Sequence, residues 1–245
     1  MSHAAALVTG ATSGIGRATA VKLAAQGLHV LVGGRDHDRG AAAVDLIRSR
    51  GGRADFLAAD LRSEADARAL ARRAVELSDD AVEVLVNNAA AFPFGPTAST
   101  TEQQFDQAYA IGVKVPYFLV AELAPRMALR GSGSIVNVTT MVASIGMRNM
   151  ALYGSTKAAL TLLTRAWAAE YGPSGVRVNA VSPGPTRTEG TDAMGGNLDG
   201  LVGPAPAGRP ATPEEIADGI VYLATGPSTF VQGIVLPVDG GRLAV

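Results

Sequence analysis

The sequence predicts an α/β chain in which one parallel sheet carries helices on both faces. Three observations point there: short β-type runs alternate with longer alanine-rich amphipathic stretches, a glycine-rich turn joins the first run to the first stretch, and no linker, repeat or low-complexity tract divides the 245 residues. The predicted strands are Ala5 to Thr9, His29 to Gly33, Ala54 to Ala58, Val82 to Val86, Ser134 to Thr139, Val176 to Val181 and Ile234 to Pro237. The predicted helices are Ile15 to Gln26, Arg39 to Arg50, Glu64 to Leu77, Glu102 to Leu129, Ala151 to Tyr171 and Pro213 to Ala224. Pro183 to Pro210, rich in Gly and Pro, is too long for a plain connection and is expected to serve function.

Composition narrows the possible functions. Hydrophobic residues make up 47% and charged residues 18%, with 21 basic against 22 acidic side chains. The net charge of −1 supplies no field to recruit nucleic acid or an anionic membrane. Cysteine is absent and the histidines are His3, His29 and His37, so no clustered metal ligands are expected. The N-terminus lacks a basic segment followed by a long apolar one, and no apolar run is long enough to span a bilayer. The expectation is a soluble, cytoplasmic protein.

The glycine-rich turn is Thr9-Gly10-Ala11-Thr12-Ser13-Gly14-Ile15-Gly16. Glycines let the backbone turn sharply and approach a ligand, and free N–H groups at the start of the following helix attract a pyrophosphate. About twenty residues on, a site for NAD usually has a carboxylate for the ribose hydroxyls, whereas NADP needs a cation for the 2′-phosphate. Gly34 stands at the acidic position and Arg35 follows it, which predicts NADP(H) over NAD(H) unless Arg35 is consumed by Asp36. Asp60, followed by Leu61, either accepts from an adenine amino group or caps the helix beginning near Ser63. After the fourth strand, Asn87-Asn88-Ala89-Ala90 offers amides that either meet a ligand or brace neighbouring strands.

Tyr153-Gly154-Ser155-Thr156-Lys157 places a phenol and an ammonium four residues apart, on one helix face. A cation beside a phenol favours the phenolate, so the pair predicts a lowered tyrosine pKa and a group able to exchange protons. Thr140 follows an apolar β-branched run, which puts its hydroxyl at the carboxyl end of a strand, where open α/β sheets bind ligands.

Thr9 to Gly16, Asn87 to Ala90, Thr140, Tyr153 to Lys157 and Pro183 to Thr188, ending with Val238-Asp239-Gly240-Gly241, together resemble the short-chain dehydrogenase/reductase family. The resemblance spans nearly the whole chain. It implies a single Rossmann-type domain, residues 1–245, with seven parallel strands and a substrate lid at about 186–210, assembled as a homotetramer or homodimer. It also implies a hydride exchanged between NADP(H) and a secondary alcohol or ketone. Tyr153 would be the acid/base, Lys157 would hold the nicotinamide ribose, and Thr140 would take the place of the family's serine. Asn87, Ala89, Pro183, Gly184, Thr186 and Thr188 would contact the cofactor together with the glycine turn. A non-catalytic dinucleotide-binding protein of the same fold is the alternative.

Two positions depart from the family. Ala90 replaces the glycine that usually ends the motif after strand four, and Gly112 stands where relatives carry an asparagine that holds a water in a proton relay. Under the family layout, Met141, Val142, Ile145, Met147, Met194, Leu198 and Leu201 lie near the pocket mouth, which suggests an apolar or mixed substrate, with Arg148 and Arg187 either solvated or in contact with an anionic group.

Overall fold

The structure, a computed structural model, describes residues 4–192, 197–203 and 205–245. Seven strands form one sheet: β1 (Ala5–Thr9), β2 (His29–Gly34), β3 (Arg53–Ala58), β4 (Val82–Asn87), β5 (Gly133–Val138), β6 (Val176–Pro183) and β7 (Val235–Val238). The spatial order is β3-β2-β1-β4-β5-β6-β7 and every pairing is parallel. This is a Rossmann-type, doubly wound single domain. The order reverses between β1 and β4, and the crevice outside their carboxyl ends is where such sheets bind ligands.

Alternation along the strands builds two cores. In β1, Ala5 and Leu7 face a layer made by α3 (Glu64–Leu77), α5 (Val115–Arg130) and α6 (Ala151–Tyr171). Ala6 and Val8 face the layer of α1 (Gly14–Ala25), α2 (His37–Ser49) and α8 (Pro213–Ala224). Fully buried residues such as Leu7, Leu31, Leu85 and Ile135 each contribute roughly 2 kcal/mol by burial, against roughly 1 kcal/mol for a helix cap, so the sandwich of layers dominates stability.

The structure departs from the expected elements in two places. The continuous helix expected over Glu102 to Leu129 is instead α4 (Glu102–Tyr109), a π turn over Ala110–Lys114, and α5. Gly112 sits in that turn, buried against α6, where a Cβ would lie 3.0 Å from the Cβ of Thr156. Periodicity does not register such a local widening. The irregular section after β6 also contains a short helix, α7 (Asn197–Val202), whose Leu198 and Val202 are buried. Met194 lies outside the described residues.

Candidate active site

The glycine turn leaves β1 and enters α1 through two left-handed residues, Gly10 at φ +63° and Gly14 at φ +49°. A Cβ on Gly16 would stand 2.2 Å from the carbonyl oxygen of Gly10, so the helix and turn touch backbone to backbone. Asn88 braces this approach: its Nδ2 donates to the carbonyls of Thr9 at 2.9 Å and Gly10 at 3.1 Å. Ser13 occupies the N-cap of α1 without capping it. The place is taken by Glu189, whose Oε2 accepts from the Gly14 N–H at 2.9 Å while Oε1 pairs with Arg17 at 2.7 Å. Partial burial alone would raise the Glu189 carboxyl, yet the Glu189 and Gly14 N–H groups and the Arg17 guanidinium hold it below its ordinary value. The chain thus supplies its own carboxylate to the anion-binding start of α1.

Beyond the turn runs a cleft of about 1290 Å³ lined by Gly10, Thr12, Ser13, Gly14, Ile15, Gly16, Gly34, Arg35, Asp60, Leu61, Ala89 and Thr188, among others. A Cβ on Gly34 would be 2.4 Å from Thr12 Cγ2, so an acidic residue cannot enter there unless the buried Thr12 moves. Asp36 caps α2 and pairs with Arg39 at 2.9 Å. Arg35 is therefore not consumed by its neighbour and makes no ion pair among the described residues. Ser63, not Asp60, caps α3, and Asp60 pairs with Arg62 at 2.7 Å. A long, open cleft with backbone donors at one helix start and arginines further along fits a dinucleotide.

At the carboxyl end of β5, Lys157 is 2% exposed and its Nζ donates to the Val138 carbonyl at 2.7 Å. It lies 5.9 Å from the centre of the Tyr153 ring. Burial pulls the ammonium down to about 8. Burial pushes the Tyr153 phenol up to about 12, a rise that a hydrogen bond with Thr140 partly offsets, although the residue as a whole is only partly buried. This corrects the expected lowering. Ionising the phenol in this environment costs more than a cation committed to a carbonyl returns. Thr140 is buried and its hydroxyl also accepts from the Val142 N–H at 3.4 Å. Over the Tyr153 ring stands Phe92, edge to face, with centroids 4.7 Å apart.

Thr140, Tyr153 and Lys157 do not line the cleft, which reaches them through Phe92, and other residues expected at the cofactor also lie outside its lining. Asn87 is buried in the sheet, where β4–β5 register sets it beside Asn137, to which it donates at 2.9 Å. Gly184 packs on Asp239, whose Cα a Cβ would approach to 2.8 Å, and Thr186 spends its hydroxyl on the Gly184 carbonyl at 2.9 Å. Pro183 closes β6 against Val238. Of the pocket-mouth residues, Met141 and Leu198 are buried and Val142, Ile145, Met147 and Leu201 half-buried; Arg187 pairs with Asp199 at 2.6 Å. Both amides act as braces, the alternative weighed for them, Asn87 within the sheet and Asn88 on the glycine turn; sequence reasoning missed Phe92, Arg17 and Glu189, for which spacing along the chain offered no signal.

Comparison with known proteins fits this arrangement. Residues 10–242 match the family profile described as Enoyl-(Acyl carrier protein) reductase. The chain belongs to the short-chain dehydrogenase/reductase family. A solved short-chain dehydrogenase/reductase family protein is 45% identical, with full coverage of both chains (100% and 100%) and a TM-score of 0.92. The chain is also 37% identical to cis-4-hydroxycyclohexanecarboxylate dehydrogenase of Sinomonas cyclohexanicum, covering 98% of this chain and 96% of that one. A structure provisionally assigned as an NAD(P)-dependent gluconate 5-dehydrogenase from Beutenbergia cavernae, with NADP bound at low occupancy, is 37% identical with a TM-score of 0.93, covering 99% and 97%. This family of oxidoreductases uses NAD(P), and these short-chain dehydrogenase/reductase relatives include dehydrogenases of alcohols. No helix among the described residues is long and apolar enough to cross a membrane.

Proposed function

We propose that this short-chain dehydrogenase/reductase exchanges a hydride between NADP(H) and a secondary alcohol or ketone, with Tyr153 as the proton-exchanging group. The observation that carries the reading is the buried pair: an ammonium that burial drives down to about 8, packed beside a phenol at the ligand end of the sheet. A protein that only bound a dinucleotide has no use for that costly arrangement. When bound in the cleft, the nicotinamide supplies the hydride.

The chain's own residues do the rest. The Gly14 N–H, once the Glu189 carboxylate is displaced from it, and its neighbours at the start of α1 donate to the pyrophosphate, with Thr188 on the facing segment. Arg35, with Arg39 and Arg62 lining the same end, receives the 2′-phosphate, and Gly34 leaves no carboxylate to oppose it. Thr140 orients the substrate oxygen. Tyr153, a neutral phenol at working pH, gives its proton to that oxygen as the ketone is reduced, and Lys157 stabilises the resulting phenolate. The described residues within 186–210 form the substrate lid, and exposed apolar residues on α5 and α6, Tyr117 and Leu162, support a homotetramer or homodimer.

Loss of NADPH absorbance across a ketone panel tests the reading. Wild type is expected to turn over and Tyr153→Phe to bind NADPH without turnover. Full activity in Tyr153→Phe would defeat the assignment.

A further inference from the structure

The residue that covers Tyr153 comes from neither motif. After β4 the chain runs Ala89-Ala90-Ala91-Phe92-Pro93-Phe94, three small residues and then two aromatics flanking a proline. Gly95 ties this loop to the segment before α6 by donating to the Asn149 carbonyl at 2.9 Å, at a residue held left-handed at φ +66°. Phe92 is thereby presented to Tyr153 at a ring-to-ring distance of 4.7 Å and an angle of 69°. Such edge contacts are favourable pairings for aromatic rings. Yet Phe92 remains 44% exposed and lines the cleft. A phenyl ring with one side on the acid/base and the other in open cleft is an apolar surface awaiting a cover.

Building on the oxidoreductase reading, we infer that Phe92 is a positioning and specificity residue: it shields the Tyr153 phenol from water and offers its free side to a cyclic or aryl portion of the substrate. The substrate class is then ketones and secondary alcohols carried on an apolar ring, in preference to open-chain polyols. A ring laid against Phe92 buries apolar area on both partners, whereas a polyol would surrender hydration there and gain no hydrogen bond. Position also matters. Because Phe92 touches Tyr153 directly, a ring seated against it lies within reach of the phenol. Among the described residues, Lys157 of the same helix, whose cation sits over the ring, the Thr140 hydroxyl from the end of β5, and the uncharged Phe92 stand against Tyr153. The upward shift of the phenol comes from burial, and the ring of Phe92 packs against that of Tyr153.

The test uses the full chain with Phe92→Leu, which keeps an apolar side chain, and Phe92→Ala. With NADPH, cyclohexanone is compared with 3-hexanone, a ketone of equal carbon number without a ring. In Phe92→Ala, kcat/KM is expected to fall about tenfold or more for cyclohexanone, mainly through KM, and by about twofold for 3-hexanone, with Phe92→Leu intermediate. Separately, the ligand-free protein labelled at the tyrosine ring carbon bearing oxygen is titrated by NMR, with Tyr153→Phe assigning the signal. The wild-type midpoint near 12 should fall toward the ordinary value of 10.0 in Phe92→Ala. An active enzyme whose substrate ratio and titration are both unmoved in folded Phe92→Leu and Phe92→Ala overturns the inference. The titration requires no turnover, so a shifted midpoint in a wild type that reduces none of the ketones would overturn the oxidoreductase reading beneath it instead.

Discussion

The start of α1, which lines the cleft, and the end of β5, which meets the cleft through Phe92, are built on opposite electrostatic principles. At the start of α1, an anion is welcomed in a polar, accessible place: backbone N–H groups, Arg17 and a displaceable carboxylate from Glu189. At the end of β5, an ammonium and a phenol are held out of water, each pushed toward its neutral form. The first end spends little to bind charge because glycines supply the geometry. The second stores free energy in desolvated groups, which is characteristic of sites where proton transfer happens. Binding and proton chemistry should therefore be separable by mutation.

The largest expected effect is at the buried end. Tyr153→Phe should lower turnover by about 10²–10⁴-fold with NADPH affinity, read by cofactor fluorescence, unchanged. A parallel loss of binding would break the separation.

Lys157 sharpens the contrast through stability. Its folded pKa, about 8, lies below the ordinary 10.5, so the folded state releases this proton first. The ligand-free protein should therefore gain stability from Lys157 as pH rises from about 8 to 10.5, and the gain should be absent in Lys157→Met, as denaturant midpoints across that window would show. Above pH 10 the raised phenol of Tyr153 acts in the opposite sense, since only the unfolded chain ionises readily there. The same Lys157→Met substitution should cost about tenfold or more in turnover.

At the accessible end the effects are smaller. Arg35→Ala should weaken NADPH by about tenfold while leaving NADH within about twofold, because only the extra phosphate uses the guanidinium. Glu189→Gln keeps a hydrogen-bond acceptor at the Gly14 N–H but removes the charge that competes with a pyrophosphate, and should tighten NADPH by roughly threefold to tenfold. Weaker binding in that variant would mean that the Glu189 contact with α1 is required for cofactor binding. The smallest change is at the π turn. Gly112→Asn should destabilise the fold by about 1 kcal/mol or more through crowding on Thr156, and adding Thr156→Ala, which removes the Oγ1 that a Cβ at 112 would meet at 3.0 Å, should recover part of the loss in melting temperature.

The motifs at these two ends were not equally legible. Glycine positions report backbone geometry directly, so the turn from Gly10 to Gly16 and its relation to α1 could be read from spacing. The strands were legible because both faces of the sheet are covered, leaving near-continuous apolar runs such as Ala5-Ala6-Leu7-Val8. Asn87 and Asn88 looked equivalent as neighbours, but β4 points one into the sheet and the other at the glycine turn. The single helix expected over Glu102 to Leu129 failed at Gly112, where a contact with another helix admits a wider turn.

Local chemistry along the chain sufficed to determine the layered parallel sheet, the anion-seeking turn and the pairing of Tyr153 with Lys157 on one helix face, since each depends on residues close in sequence. The direction of the tyrosine's pKa shift, the arrival of Glu189 at a helix 175 residues away and the shielding of the phenol by Phe92 were decided only by tertiary structure. Desolvation and charge pairing depend on which distant atoms exclude water, and no spacing along the chain encodes that exclusion.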